Sequence, residues 1–309
     1  MLKTLLDNWG MLRVMSHLMK SIGGVRGLKL FSQYDRYYTA EAVKAALACG
    51  ASCERPGNDF QRLLFDVARR RLGRCPPPEV ERPREPMPAL MREYFEMVED
   101  VVVLKACELA AKPVRDVIPE EEARALYQAL VSANFYKAFR VSLYLGTGAV
   151  KWGRVLLIGA GTQEPLDFLK ACELAGAKCE IAAMEVDEAI YRDLARLAER
   201  RGFKAYLGWD SLGEQQFDGA VAQSVLHWAS DPLDVLVRAR RHAPKLLLSQ
   251  GVVEDSGMVF VLTYVLGAVR FLSWKEVEAL ARQAGWKLER RYAKYPDYIA
   301  VYTRREQRR

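Results

Sequence analysis

With 309 residues, half of them hydrophobic, the chain is long enough for two domains and too apolar for intrinsic disorder. A net charge of +7 permits nucleic acid or other anionic partners without demanding them. No apolar run approaches a membrane span, and Lys3, Asp7, Arg13 and Lys20 interrupt the N-terminal stretch, so a cytoplasmic protein is expected.

Leu2, Leu5, Leu6, Trp9, Leu12 and Met19 recur at helical spacing, which predicts an amphipathic helix over residues 2 to 20. Ser21 to Gly27 is glycine-rich without a phosphate-loop pattern and reads as a loop. Thr39 is expected to cap a helix reaching Ala48, and a second helix spans about Asp59 to Leu72. The latter carries Arg69, Arg70, Arg71 and, just beyond, Arg74: a solvated helix end, or a contact for RNA phosphates. Six prolines between Pro76 and Pro88 predict an extended arm. Helices resume over about 89 to 111 and 119 to 145, the latter with Pro119 and three glutamates in its first turn. Glycines 146, 148 and 153 then mark a hinge. These features predict a largely helical first domain over residues 1 to 148.

From 149 to 309 strands and helices alternate. Val155 to Ile158 is a short unbroken apolar run, as in a strand buried on both faces. Gly159-Ala160-Gly161 turns the chain, residues 164 to 175 form a helix, and Cys179 to Met184 a second strand. Further strands are expected at 204–207, 219–222 and 245–249, with helices at 188–200 and 232–241, the second capped by Asp231 and opened by Pro232. Ser273 and Glu276 form a capping box. Two last strands, 287–292 and 298–303, pair antiparallel. The expected fold class is α/β, a Rossmann-like seven-stranded sheet after a helical N-terminal domain.

The glycine turn and Glu185 lie at the carboxyl ends of neighbouring strands, where ligands of such sheets bind. Glycines let the backbone approach a ligand, and a carboxylate accepts from the paired hydroxyls of a ribose. The third glycine of a dinucleotide fingerprint would fall at 164, where this chain has Glu164, unfavourable beside a pyrophosphate. This points to an adenosine cofactor without phosphate, S-adenosylmethionine. The six cysteines form no CxxC pair and no histidine lies near them, so buried thiols and no metal site are expected. Scarce asparagine with abundant Arg and Glu leans towards a thermophile, in which an intracellular disulfide is allowed.

VLLIGAG at 155–161, MEVD at 184–187, GWD at 208–210 and FDGAVAQSVLHW at 217–228 resemble class I S-adenosylmethionine-dependent methyltransferases. Within that class the second half is most similar to small-molecule O-methyltransferases, which carry a helical domain that dimerises and helps close the acceptor pocket. The resemblance implies that Gly159, Ala160 and Gly161 pass under the methionine part of the cofactor. Glu185 would hold the ribose, and Val186 would pack on the adenine. Asp210, with Ser211 beside it, would accept from the adenine amino group, and Gln223 would lie near the sulfonium. His227 matches the histidine that serves as general base in the plant-type enzymes. The acid usual two residues before the first glycine is Leu157, and a further expected glycine is Gln163. Glu164 is the candidate to hold the amino-acid end instead. The resemblance further implies a homodimer and a small-molecule acceptor bound against Met258, Phe260, Tyr264 and Phe271. Tyr127, Phe135, Tyr136 and Phe139 would add to those walls.

Three other readings compete. The arginine cluster and basic tail fit an RNA or protein methyltransferase. Nicotianamine synthase-like enzymes, similar in lacking the acid at the Leu157 position, transfer an aminocarboxypropyl group. A scaffold with a decayed cofactor site is the non-enzymatic alternative.

Overall fold

The computed structural model describes residues 14, 16, 18–255, 257–295 and 297–304. The helix expected over 2 to 20 and the basic tail lie, but for a few residues, outside these. By their contacts the described residues form two compact units. One is helical, Met19–Tyr136 with Asp255–Val269. The other, built on a sheet, holds Lys137–Glu254 and the described residues from 270 to 304, with residues 14, 16 and 18.

In the helical unit the first long helix is Gly24–Ala48, so the expected loop at 21–27 ends early and Thr39 is not a cap. The Thr39 hydroxyl instead donates to the Asp35 carbonyl one turn back, at 2.6 Å, and is satisfied inside the helix. Helix Asp59–Leu72 forms as expected, capped by Asn58. Two of its arginines are engaged: Arg71 lies 3.1 Å from the buried Asp35 carboxylate, and Arg69 pairs with Asp66 at 2.8 Å. Asp35 also accepts from the Met258 N–H at 2.9 Å, which fixes the start of helix Met258–Val265. The helix expected over 89 to 111 is interrupted by a π-turn at Glu99–Val103. The one expected over 119 to 145 breaks at Ala133 into Glu120–Ser132 and Asn134–Thr147. There Glu93 accepts the freed Asn134 N–H at 2.8 Å. Phe135, half-buried, stacks on Phe31 at 5.2 Å, and Phe31 also meets the buried Tyr94 and Phe95.

The cysteines are not buried thiols. Cys49–Cys107 and Cys53–Cys75 are disulfides in the helical unit, Cys172–Cys179 is one in the sheet unit, and none of the six is free. Sequence separations of 58 and 22 gave no local signal; only the helix packing brings those pairs together.

The sheet unit contains seven strands: β1 Arg154–Ile158, β2 Glu180–Glu185, β3 Lys204–Leu207, β4 Gly219–Gln223, β5 Lys245–Gly251, β6 Trp286–Ala293 and β7 Asp297–Arg304. Their order is β3-β2-β1-β4-β5-β7-β6. The first five run parallel, and β7 pairs antiparallel with both β5 and β6. The apolar runs of β1, β4 and β5 fill the centre of the sheet, and Leu156, Ala220, Leu246 and Tyr302 are fully or almost fully buried. Because β2 lies on one side of β1 and β4 on the other, the strand order reverses at β1. In open α/β sheets, ligands bind outside the carboxyl ends of the strands at such a reversal. Among the described residues no helix is long and apolar enough to cross a membrane.

Candidate functional site

The site grows from the turn after β1. Gly159 and Gly161 both adopt left-handed backbone, φ 61° and 54°, which L side chains rarely take. A Cβ on Gly159 would meet Val225 Cγ2 at 3.1 Å, so this glycine lets the loop after β4 come close. A Cβ on Gly161 would meet nothing within 4 Å, so the turn is open on that side. The N–H groups of Gly159 and Ala160 are taken by the Met184 carbonyl at 2.8 and 3.3 Å. That of Gly161 donates to Glu185 Oε1 at 2.5 Å.

Glu185, the last residue of β2, is buried, and its second oxygen accepts from the Val186 N–H at 3.2 Å. Burial raises its pKa, and the two backbone donors partly offset that. Two acceptor oxygens with about four lone-pair sites keep capacity for a diol beyond these two bonds. Val186, next along the chain, is 69% exposed although strongly apolar. A buried carboxylate, an open glycine and an exposed valine side by side fit an adenosine whose ribose is held and whose base is stacked.

Glu164 opens helix Glu164–Ala175 directly after the turn and is buried. Its Oε1 accepts from the Tyr144 hydroxyl at 2.6 Å. Burial pushes its pKa up to about 8, while the Tyr144 bond and the nearby Arg140 pull it back. Arg140 is itself 2.6 Å from Asp167, both buried, and Gln163 donates to the other Asp167 oxygen at 2.9 Å. None of the sequence motifs marked Tyr144, Arg140 or Asp167; their side chains meet Glu164 and one another across 20 and 27 residues of chain.

On the other side of β1, Gln223 ends β4 and Ser224 follows with φ 55°, the one described non-glycine residue with positive φ. Such strain persists only where neighbours over-determine it. Here the Ser224 N–H is held by the Ser249 carbonyl at 2.7 Å, and the buried Gln250 accepts from the Leu226 N–H at 3.1 Å. His227 lies in the turn Val225–His227, buried, with Nδ1 3.0 Å from the Arg270 carbonyl oxygen and its ring 5.1 Å from that of Phe271. Burial lowers its pKa to about 4, so it is neutral at physiological pH. Because a carbonyl only accepts, Nδ1 carries the proton and Nε2 the lone pair.

Asp210 and Ser211 sit in the short turn Asp210–Leu212. The Asp210 side chain is fully exposed and lies 3.6 Å from Arg238, and the Ser211 hydroxyl donates to the Gly208 carbonyl at 3.0 Å. The structure thus links Gly159, Ala160, Gly161, Glu164, Glu185 and Val186 around one turn. It sets Gln223 and His227 on the neighbouring strand end and gives Asp210 a surface ion pair. A groove of about 620 Å³ lined by Thr162, Gln163, Arg196 and Arg200 adjoins the far end of the turn.

No family model matches the chain, and no curated protein does. Among solved structures it is similar to the CMeT domain of the citrinin polyketide synthase, at 12% identity over 98% of each chain with a TM-score of 0.63. The DszA carbon methyltransferase matches at 13% identity over 94% of each chain, TM-score 0.60. The N,N-8-amino-8-demethyl-D-riboflavin dimethyltransferase RosA of Streptomyces davawensis matches at 18% identity over 70% of this chain and 69% of its own, TM-score 0.50. Strand order, the reversed final pair and these likenesses agree: the chain has the fold of the class I S-adenosylmethionine-dependent methyltransferases.

Proposed function

We propose that the protein is an S-adenosylmethionine-dependent methyltransferase acting on a small molecule. The observation that carries this is the juxtaposition of the buried Glu185 carboxylate, the open Gly161 and the exposed Val186 at the carboxyl ends of β1 and β2. Glu185 holds the ribose hydroxyls, Val186 covers the adenine, and the glycine turn carries the amino-acid part. When bound, the cofactor supplies a methyl group on a sulfonium, already strongly electrophilic. What the chain must add is alignment of an acceptor and exclusion of water. For a hydroxyl acceptor it must also take a proton. His227 fits that task by its fixed tautomer, with Nε2 as the accepting atom.

Support for a small-molecule acceptor comes from the names of the similar structures, which include carbon and nitrogen methyltransferases. Support for oxygen rests on the resemblance of the 217–228 stretch. The RNA reading is weakened because Arg69 and Arg71 are engaged in ion pairs within the helical unit. The test is isothermal titration with S-adenosylmethionine, then incubation with phenol, amine and carbon-acid acceptors. S-adenosylhomocysteine should form as one acceptor gains a methyl group. Methylthioadenosine as the product would instead establish aminocarboxypropyl transfer, and no binding by the folded protein would remove the reading.

A further inference from the structure

The Glu164 carboxyl is buried, and burial is what chiefly favours its neutral form, with a smaller push from two neighbouring acids. Asp167 faces it from the same helix and Glu185 from β2, across the Gly159–Gly161 turn. From the Asn134–Thr147 helix it meets Arg140, itself paired with Asp167, and the neutral Tyr144, which supplies its one hydrogen bond among the described residues. Burial favours the neutral form of this carboxyl, the Tyr144 bond and Arg140 oppose it, and an arriving cation would tip the balance to the anion. The amino-acid end of the proposed cofactor brings such a cation, an α-ammonium. The position two residues before the first glycine, which could have met it with an acid, holds the buried, apolar Leu157.

Resting on the cofactor reading above, we infer that Glu164 receives the α-ammonium of the bound amino-acid group and gives up its own proton as it does so. Tyr144 and the Arg140–Asp167 pair are positioning residues that hold the carboxyl against the turn. The step balances simply: Glu164–COOH loses a proton to solvent and the carboxylate accepts hydrogen bonds from the –NH3+ group.

Binding then becomes pH-linked. With the Glu164 pKa near 8, nearly all of it is protonated at pH 7, and each molecule bound releases about one proton. Affinity should rise about tenfold for each pH unit between 6 and 7, the slope that one released proton dictates. The probe is S-adenosylhomocysteine, titrated calorimetrically at pH 6 and 7 in phosphate and in imidazole, whose different ionisation enthalpies report the proton count. Wild-type protein should release about one proton. Glu164→Gln, which mimics the protonated acid and can still accept from Tyr144, should release none and bind with a flat pH profile. Tyr144→Phe removes a bond that lowers the Glu164 pKa, so proton release should persist and extend to higher pH. A wild type that binds with no proton exchange and no pH slope overturns the inference but leaves the cofactor reading standing. A Glu164→Gln slope equal to that of wild type does the same. A folded wild type that does not bind the probe at either pH sinks both.

Discussion

His227 Nδ1 lies 3.0 Å from the carbonyl oxygen of Arg270, and the Arg270 N–H returns to the His227 carbonyl at 3.3 Å. This reciprocal pair fixes both the ring and the turn that carries it. With its pKa lowered to about 4, His227 keeps its lone pair well below neutrality. If it is the base, turnover of a hydroxyl acceptor should show no loss from this residue until pH falls towards 4, where protonation removes the lone pair. His227→Asn can still donate to the Arg270 carbonyl, yet should lower turnover on the order of a hundredfold. Stability gives a second reading. A depressed folded pKa means the unfolded chain binds more protons between about 4 and 6.5. Stability is therefore full above pH 6.5 and declines as pH falls towards 4, and in His227→Asn that decline should be shallower. An asparagine variant with wild-type turnover assigns His227 a structural role alone.

Much of the sheet was legible because its signals are local. The apolar run of β1, the glycine turn and the capping residues Asp231 and Ser273 each act within a few residues, and their elements fall within two residues of expectation. Glu185 could be named because strand-end position alone places it. Its bond to Gly161, and the Tyr144–Glu164 contact, depend on packing across 24 and 20 residues and leave no periodic trace. Helix ends in the first half were read less well because tertiary partners decide them. Asp35 absorbs the Thr39 hydroxyl through its carbonyl and Arg71 through its carboxylate, and Glu93 takes the N–H freed at Ala133. Ser224, a left-handed serine, had no signal that composition could carry.

The three disulfides should be visible as missing thiols. Denatured, unreduced protein should give no reaction with a thiol reagent although the chain has six cysteines. The chain-entropy account assigns the Cys49–Cys107 link, 58 residues apart, about 4 kcal/mol, and the Cys172–Cys179 link, 7 apart, about 2 kcal/mol. Replacing the first pair by serine should therefore lower Tm more than replacing the last. Six reactive thiols in the unreduced protein would contradict the pairing.

Glu185 is the residue on which the cofactor reading turns. Glu185→Ala removes the acceptor for the ribose hydroxyls and leaves the Gly161 N–H without its 2.5 Å partner. Hydrogen bonds to a charged group contribute about 1.5–3 kcal/mol each, so loss of even one to the ribose predicts roughly a ten- to hundredfold weaker affinity. The orphaned Gly161 N–H adds a stability loss of about 1–3 kcal/mol, since an unsatisfied buried donor keeps its full desolvation cost. The two effects separate by temperature. Circular dichroism first sets a temperature at which the variant is fully folded, and titration with S-adenosylmethionine is run below it. Weak binding by the folded variant places the carboxylate on the ligand. If affinity is unchanged while Tm falls, Glu185 serves only to pin the glycine turn, and the ribose is held elsewhere.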